Sequence, residues 1–418
     1  MAMEQFYGQD LQVMEVSKIF EPHQYPEIKA FYMTHGFVLI QLLDERACKN
    51  AIKEQVEKIL LRQPWEERLV VLDPRTKGEI VYSPETSDAY VDALVRPNIP
   101  SRVLKGYQDA WPFHRGFGAC CDPAAFHLYT VWSIRENPDI VCTAANLLDC
   151  RPEDLWVDIN RSIHKLPTEG DDEFLHWDLQ KFGKYQPDTS VQGKVMYSTG
   201  QFVCVPKSHT LDFHNRFNQH YAPLYPEIVG REKAMTNLDL KKPDPLNLKG
   251  QTCIFRIPPG CCVFWSTNLL HGQKKTPRNA EPEFGMYLGY MKKAFCYDRP
   301  EYRDKAERIK ERDIEQYGQV SQFWGRPTSE REDRIYSYEH GVAPFLWPSL
   351  QPISFYPRKF YNFGEILGKY VGRTRPDALQ KYLLVREGTN GWAYDFLPWE
   401  NTGYVPYPLS PLGRSLLS

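Results

Sequence analysis

The strongest constraint on the fold lies between residues 155 and 291. Six segments there (155–163, 194–198, 201–205, 252–257, 261–266 and 284–291) are short and rich in β-branched and aromatic residues. Gly200, Pro206, Pro258-Pro259-Gly260 and Pro282 punctuate them. Many short strands with turn residues between them indicate a sandwich or barrel of the jelly-roll kind. No repeat of solenoid or propeller period is present.

Upstream the pattern mixes strand and helix. The run Gly36-Phe37-Val38-Leu39-Ile40-Gln41-Leu42-Leu43 is apolar and β-rich, and reads as a buried strand. Asp44 offers an N-cap, and Ala47, Ala51, Ile52, Val56, Ile59 and Leu60 then recur at helical spacing until Pro64. Residues 68–73 and 79–83 read as two strands across a Pro/Gly turn. Asn137-Pro138 is an N-cap followed by proline at the first helical position, which opens a helix to about Leu148. The class is therefore α+β, mainly β, with helices flanking the core.

Two stretches depart from this pattern. Residues 211–250 are polar and proline-spotted, and are expected to be an insertion lying over the site or outside the sheets. From about residue 301 onward the composition changes again. Residues 303–316 read as a densely charged, solvated helix, and residues 326–418 are rich in Pro, Tyr, Trp and Phe. Such aromatic content is unlike a disordered tail, so 301–418 is expected to be an extension packed on a core domain spanning 1–300.

Composition removes several function classes. The formal charge is −2 over 418 residues, which gives no global pull toward nucleic acid or anionic membrane. The cysteines include two adjacent pairs, Cys120-Cys121 and Cys261-Cys262, but no Cys-x-x-Cys. A zinc ribbon or thioredoxin-like site is thereby disfavoured, and reduced thiols are expected. The first twelve residues lack an apolar signal core, and no run is long enough to span a bilayer. The expectation is a soluble intracellular (cytoplasmic) protein.

The chemistry centres on Phe174-Leu175-His176-Trp177-Asp178-Leu179. In extended chain, residues two apart share a face, so His176 and Asp178 point at one spot while Trp177 points into core. His271 arrives on a second β segment, in Leu270-His271-Gly272. Two imidazoles and one carboxylate make the set that holds non-haem Fe(II) with open positions. Taken singly, either histidine reads as an ordinary hydrogen-bonded core residue; together they favour a metal.

Three further segments carry a resemblance. Gly200-Gln201-Phe202-Val203-Cys204-Val205-Pro206-Lys207-Ser208-His209, then Pro259-Gly260-Cys261-Cys262-Val263-Phe264 with Leu270-His271-Gly272, and Thr34-His35-Gly36-Phe37-Val38-Leu39-Ile40 resemble motifs of the phytanoyl-CoA dioxygenase family. The likeness covers roughly residues 28–290. It implies a double-stranded β-helix oxygenase, cupin-like in its core, using Fe(II), O2 and 2-oxoglutarate, with ascorbate as a candidate reductant. The expected activity is hydroxylation of a small organic substrate, and the carboxylate of Asp178 argues against a halogenase. Lys207 stands where the family has glycine, and Ser208 and His209 are expected to hydrogen-bond within their own turn. Near the family's co-substrate arginine this chain has Pro282-Glu283, and a glutamate would repel the far carboxylate of 2-oxoglutarate. Arg278 is the first candidate for that anchor and Lys194 the second, with Lys274 and Lys275 nearby. Arg161 and Lys165 are candidates to reach substrate, or to pair with Asp158 or Glu173. Two rival classes stay open: a cupin-like metalloenzyme that does not use 2-oxoglutarate, and a non-catalytic β-helix scaffold that binds a protein partner.

Overall fold

The computed structural model describes residues 13–14, 18–58, 70–96, 119–120, 128–158, 162–165, 174–177, 188–225, 236–238, 242–273 and 281–292. The extension from 301 onward lies outside them. The chain runs β1 (Val13–Met14), α1 (Tyr25–His35), β2 (Phe37–Gln41), α2 (Glu45–Lys58), β3 (Val70–Leu72), β4 (Glu79–Val81) and α3 (Ser87–Leu94). Next come β5 (Ala119–Cys120), α4 (Tyr129–Arg135), α5 (Pro138–Leu147), β6 (Leu155–Asp158), β7 (Ser162–Lys165) and β8 (Phe174–Trp177). β9 (Ser190–Met196), β10 (Gly200–Cys204), α6 (Leu211–Tyr221), β11 (Thr236–Leu238) and α7 (Leu248–Gln251) follow. β12 (Cys253–Ile257), β13 (Cys261–Ser266), β14 (His271–Gln273) and β15 (Glu283–Lys292) complete the order.

Local signals set several boundaries. Asp44 accepts from the Ala47 amide at 2.7 Å and starts α2. The Asn137 side chain caps α5, accepting from the Asp139 amide at 2.8 Å ahead of the proline. Gly36 ends α1 at φ 84°, and a Cβ there would meet the His209 ring at 2.6 Å. Glycine is thus required twice over at the point where the helix turns into β2.

Two sheets result, in the orders β1-β12-β10-β14-β8-β11 and β2-β13-β9-β15-β7-β5, with β6 also paired to β15. Strand alternation sorts the side chains into three apolar layers. Phe37, Leu39, Met196, Phe202, Phe255, Ile257, Val263 and Trp265, drawn from both sheets, form one cluster, so the sheets face each other. Phe37 meets Phe202 at 5.8 Å and Phe255 at 4.7 Å across that space. The opposite side of the second sheet (Val38, Ile40, Val195, Cys262, Phe264, Phe284, Met286, Leu288) packs beneath α1 to α5. The opposite side of the first sheet (Leu175, Trp177, Val203, Ile254) packs against Phe213, Phe217 and Tyr221 of α6. Each large side chain so buried contributes roughly 1.5–3 kcal/mol.

The structure revises three expectations. The described parts of the strand expected at 155–163 are β6 and β7, which pair with different parts of β15. The two registers are offset by one, with four residue steps from Asp158 to Ser162 against three from Gly289 to Met286. The insertion at 211–250 is not wholly outside the sheets. It supplies β11, an edge strand against β8, and α6, which covers a sheet face. The strand expected at 194–198 begins at Ser190. Gly193 masks it in sequence, because a Cβ there would meet the Val263 carbonyl at 2.9 Å where β13 passes close. Among the described residues, no helix is long and apolar enough to cross a membrane.

Lys207 sits at φ 66° in the turn after β10, the backbone region that favours glycine, and its side chain is exposed. A left-handed residue with a Cβ costs roughly 1–2 kcal/mol, of which glycine's extra unfolded-state freedom returns some 0.5–1. Lys207→Gly should therefore raise unfolding stability by about 0.5–1 kcal/mol, read from the urea midpoint. A fall would mean that the lysine side chain contributes something the backbone argument omits.

Candidate metal centre

His271 opens β14, and β14 lies between β10 and β8. The register places His271 directly opposite His176. Their ring centroids are 4.4 Å apart at an interplanar angle of 48°, and each residue is only 6% exposed. Both face the space between the sheets, since their strand neighbours Leu175, Trp177 and Leu270 belong to the outer cluster. Trp265 lies 5.3 Å and Phe202 6.4 Å from the His271 ring, forming an apolar wall. Trp265 Nε1 donates to Gln192 Oε1 at 3.0 Å, which fixes the indole at that level.

The turn between β13 and β14 orients His271 and braces the strand that carries His176. His271 Nδ1 lies 2.9 Å from the Leu269 carbonyl. A carbonyl only accepts, so the bonded Nδ1 carries a proton, which leaves Nε2 as the nitrogen available to a metal. Metal-binding histidines characteristically have their second nitrogen tied in this way. The Asn268 carbonyl accepts from Trp177 Nε1 at 2.9 Å and from His214 Nε2 at 3.1 Å. Trp177 follows His176, so the same turn also steadies β8. Trp177 points away from the inter-sheet space, as expected, and packs on Phe217 at 4.6 Å.

Asp188 holds this turn from the side. Its carboxylate accepts from Ser266 Oγ at 2.8 Å, Asn268 Nδ2 at 2.7 Å, Thr267 Oγ1 at 3.3 Å and Tyr32 OH at 3.2 Å. Burial raises the Asp188 pKa, and these donors oppose the rise. Sequence reading missed Asp188 because nothing local marks it; three of its partners lie some 80 residues onward and Tyr32 lies 156 residues back. Ser208 and His209 also reach beyond their own turn. Ser208 Oγ accepts from the Leu270 amide at 2.8 Å, beside His271, and His209 Nε2 lies 3.0 Å from the Met33 carbonyl of α1. The expectation that they bond within the turn is corrected: at Lys207 the chain turns back, and both side chains point into the fold.

Lys194 shares the inter-sheet face of β9 with Gln192 and Met196, its neighbours Val191 and Val195 lying in the helix-side cluster. It is 7% exposed, and its Nζ donates to the Gln201 carbonyl. Burial lowers its pKa to about 8; the Glu283 carboxylate opposes that shift and Lys165 reinforces it. Lys165 stands opposite Glu283 across the β7–β15 pairing, and both are buried. Gln192 lies opposite Trp265 at the histidine level. Lys194 is two residues further along, about 7 Å deeper.

Asp178, Arg278, Lys274, Lys275, Arg161 and Glu173 lie outside the described residues. Among the described residues, no group of three His, Cys, Asp or Glu side chains is placed to hold a metal. The two imidazoles nonetheless fit a cation as a partial donor set: they are buried, adjacent and on one face, with the His271 tautomer fixed.

No family model matches this chain, and no curated protein matches it either. Solved structures similar to it include the epimerase SnoN in complex with Fe3+, alpha ketoglutarate and nogalamycin RO. That likeness has 14% identity and a TM-score of 0.35, over 65% of this chain and 85% of that one. A second is the non-heme monooxygenase ThoJ, at 12% identity and TM-score 0.37, covering 63% and 77%. A third is EctD from S. alaskensis with 2-oxoglutarate and 5-hydroxyectoine, at 12% identity and TM-score 0.34, covering 68% and 81%. With TM-scores this low, the functional assignment below rests on the chain's own residues.

Proposed function

We propose that this chain is an Fe(II)/2-oxoglutarate-dependent oxygenase, a hydroxylase of a small organic substrate, on a double-stranded β-helix core. The observation that carries the proposal is the in-register pair His176 and His271, 4.4 Å apart and buried on one face. Asp178 completes the set as the carboxylate two residues beyond His176. Such a set suits Fe(II) and leaves positions open for small ligands. When bound, the iron supplies the oxidative chemistry, with O2 as oxidant and 2-oxoglutarate as the source of the additional electrons.

The chain's own part is to bind, orient and exclude water. His271 donates through Nδ1 to Leu269 and offers Nε2 to the metal. Trp265 and Phe202 keep the adjoining wall dry. Lys194 supplies the cation that a buried far carboxylate needs, at a depth suited to a five-carbon diacid. We therefore assign the anchor to Lys194 in place of Arg278. Glu283 and Lys165 complete the buried charge set around it.

The testing experiment is anaerobic titration of the purified chain with Fe(II) and then 2-oxoglutarate, followed by assay of succinate on admitting O2. One metal per chain, a metal-to-ligand absorption band and succinate release are expected. Metal binding without a band or succinate would favour the cupin-like alternative; no metal at all would favour the scaffold. Lys194→Met should weaken 2-oxoglutarate by roughly 2–5 kcal/mol, the usual cost of removing one partner of a buried charge pair, with metal affinity retained. Arg278→Ala should leave that affinity unchanged, and the opposite pattern would move the anchor to Arg278. In the wild type, co-substrate affinity should fall above about pH 8 as the Lys194 ammonium deprotonates.

A further inference from the structure

One row of the first sheet carries more than the histidines. Reading across it in register, Cys253 of β12 stands opposite Cys204 of β10, Cys204 opposite His271, and His271 opposite His176. Both thiols are free, and both lie in or against the inter-sheet apolar cluster, so they share the histidines' face. Cys204 is fully buried, whereas Cys253 is partly exposed and is the first residue of its strand. Its Sγ donates only a long contact, 3.6 Å, to the Gln251 carbonyl.

We propose that Cys204 and Cys253 form a reversible disulfide, an oxidative modification site coupled through Cys204 to the histidine pair. The backbone permits the bond. The Val205 amide donates to the Leu270 carbonyl, so β10 turns its odd-numbered amides toward β14 and its even-numbered ones toward β12. Cys204 and Cys253 are therefore a hydrogen-bonded antiparallel pair with Cα atoms about 5.5 Å apart, inside the range that disulfides span. Their Cβ atoms must close by about 1–2 Å, and Cys253 at its strand end can supply the movement.

The oxidant is a hydroperoxide, which reaches the partly exposed thiol first. Cys253–SH and H2O2 give Cys253–SOH and water, the sulfur losing two electrons to the peroxide bond. Cys204–SH then attacks the sulfenic sulfur, its proton leaves with the hydroxide as a second water, and the S–S bond forms. Closure commits the Cys204 Sγ to Cys253 and so turns it away from His271, which faces Cys204 in a non-hydrogen-bonded pair where side chains approach most closely. The effect on metal binding rests on the function proposed above; the thiol chemistry does not.

The test treats the folded, metal-free full chain with hydrogen peroxide, alkylates the remaining thiols and maps peptides by mass spectrometry. A Cys204–Cys253 link that dithiothreitol reverses, and that is absent from Cys253→Ser, is expected. Alkylation of both residues, a link to another cysteine, or unlinked sulfinic acid at Cys253 overturns the proposal. Co2+ titration of reduced and oxidised chain by visible absorption reads the coupling. Oxidation should weaken cobalt binding about tenfold, the scale of a disturbed ligand-supporting contact. Unchanged cobalt affinity in the linked protein overturns the coupling. Failure of the reduced chain to bind cobalt instead counts against the metal assignment and leaves the peptide map to decide the thiol site.

Discussion

The double variant His176→Ala/His271→Ala is expected to bind no measurable Co2+ or Fe(II) while keeping its fold. Apparent free energies of roughly 10–16 kcal/mol for a four-ligand zinc site imply about 2.5–4 kcal/mol per ligand. Two ligands lost together remove roughly 5–8 kcal/mol, more than a micromolar site can lose and still be detected. The structural cost should be smaller, because neither histidine is a member of the three large apolar clusters. Isothermal titration with Co2+ alongside near-ultraviolet circular dichroism separates the two effects. Wild-type affinity in the double variant would move the metal elsewhere. Loss of the folded spectrum would instead mean that the pair is a packing feature, and the single variants would then have to be compared.

How much of this could be read from residue order differs by kind of information. Signals carried by a few neighbours survived: Asp44 and Asn137 cap the helices they were expected to cap, and the strands at 253–257 and 261–266 fall where the pattern put them. His176 and His271 were legible because each sits in a short apolar β segment. That they stand opposite one another is a property of register, which sequence does not display. The same blindness hid the row through Cys204 and Cys253, since nothing near either cysteine marks the other. β11 was hidden because three residues give too little alternation to read, and its place is decided by pairing with β8. Lys194 was legible as a cation in a strand; its burial beside Glu283 was not.

Acid should destabilise this protein as the pH falls below about 6.5. His164 is fully buried on the helix side of β7, its ring 6.0 Å from Phe284, and burial lowers its pKa to about 3. His214, on the buried face of α6, is lowered to about 4, again chiefly by burial, with the bond to the Asn268 carbonyl opposing. In the unfolded chain both return to about 6.5. Below that value the unfolded state binds protons that the folded state refuses, so stability is full above pH 6.5 and is lost as pH falls. Each histidine costs about 1.4 kcal/mol per pH unit until its folded pKa is neared, so by pH 4 the pair removes roughly 6 kcal/mol, comparable to the whole stability of many domains. Asp188 works the other way: its raised pKa makes its contribution largest at low pH and smaller as pH rises, which opposes the histidines' loss. Urea unfolding at pH 7.5, 6, 5 and 4.5 should show a steep decline beginning near 6.5. His164→Gln keeps a polar side chain of similar size without a titrating ring, and should reduce the slope by about 1.4 kcal/mol per unit. An unchanged slope in His164→Gln would mean that His164 is not what makes the folded state refuse protons.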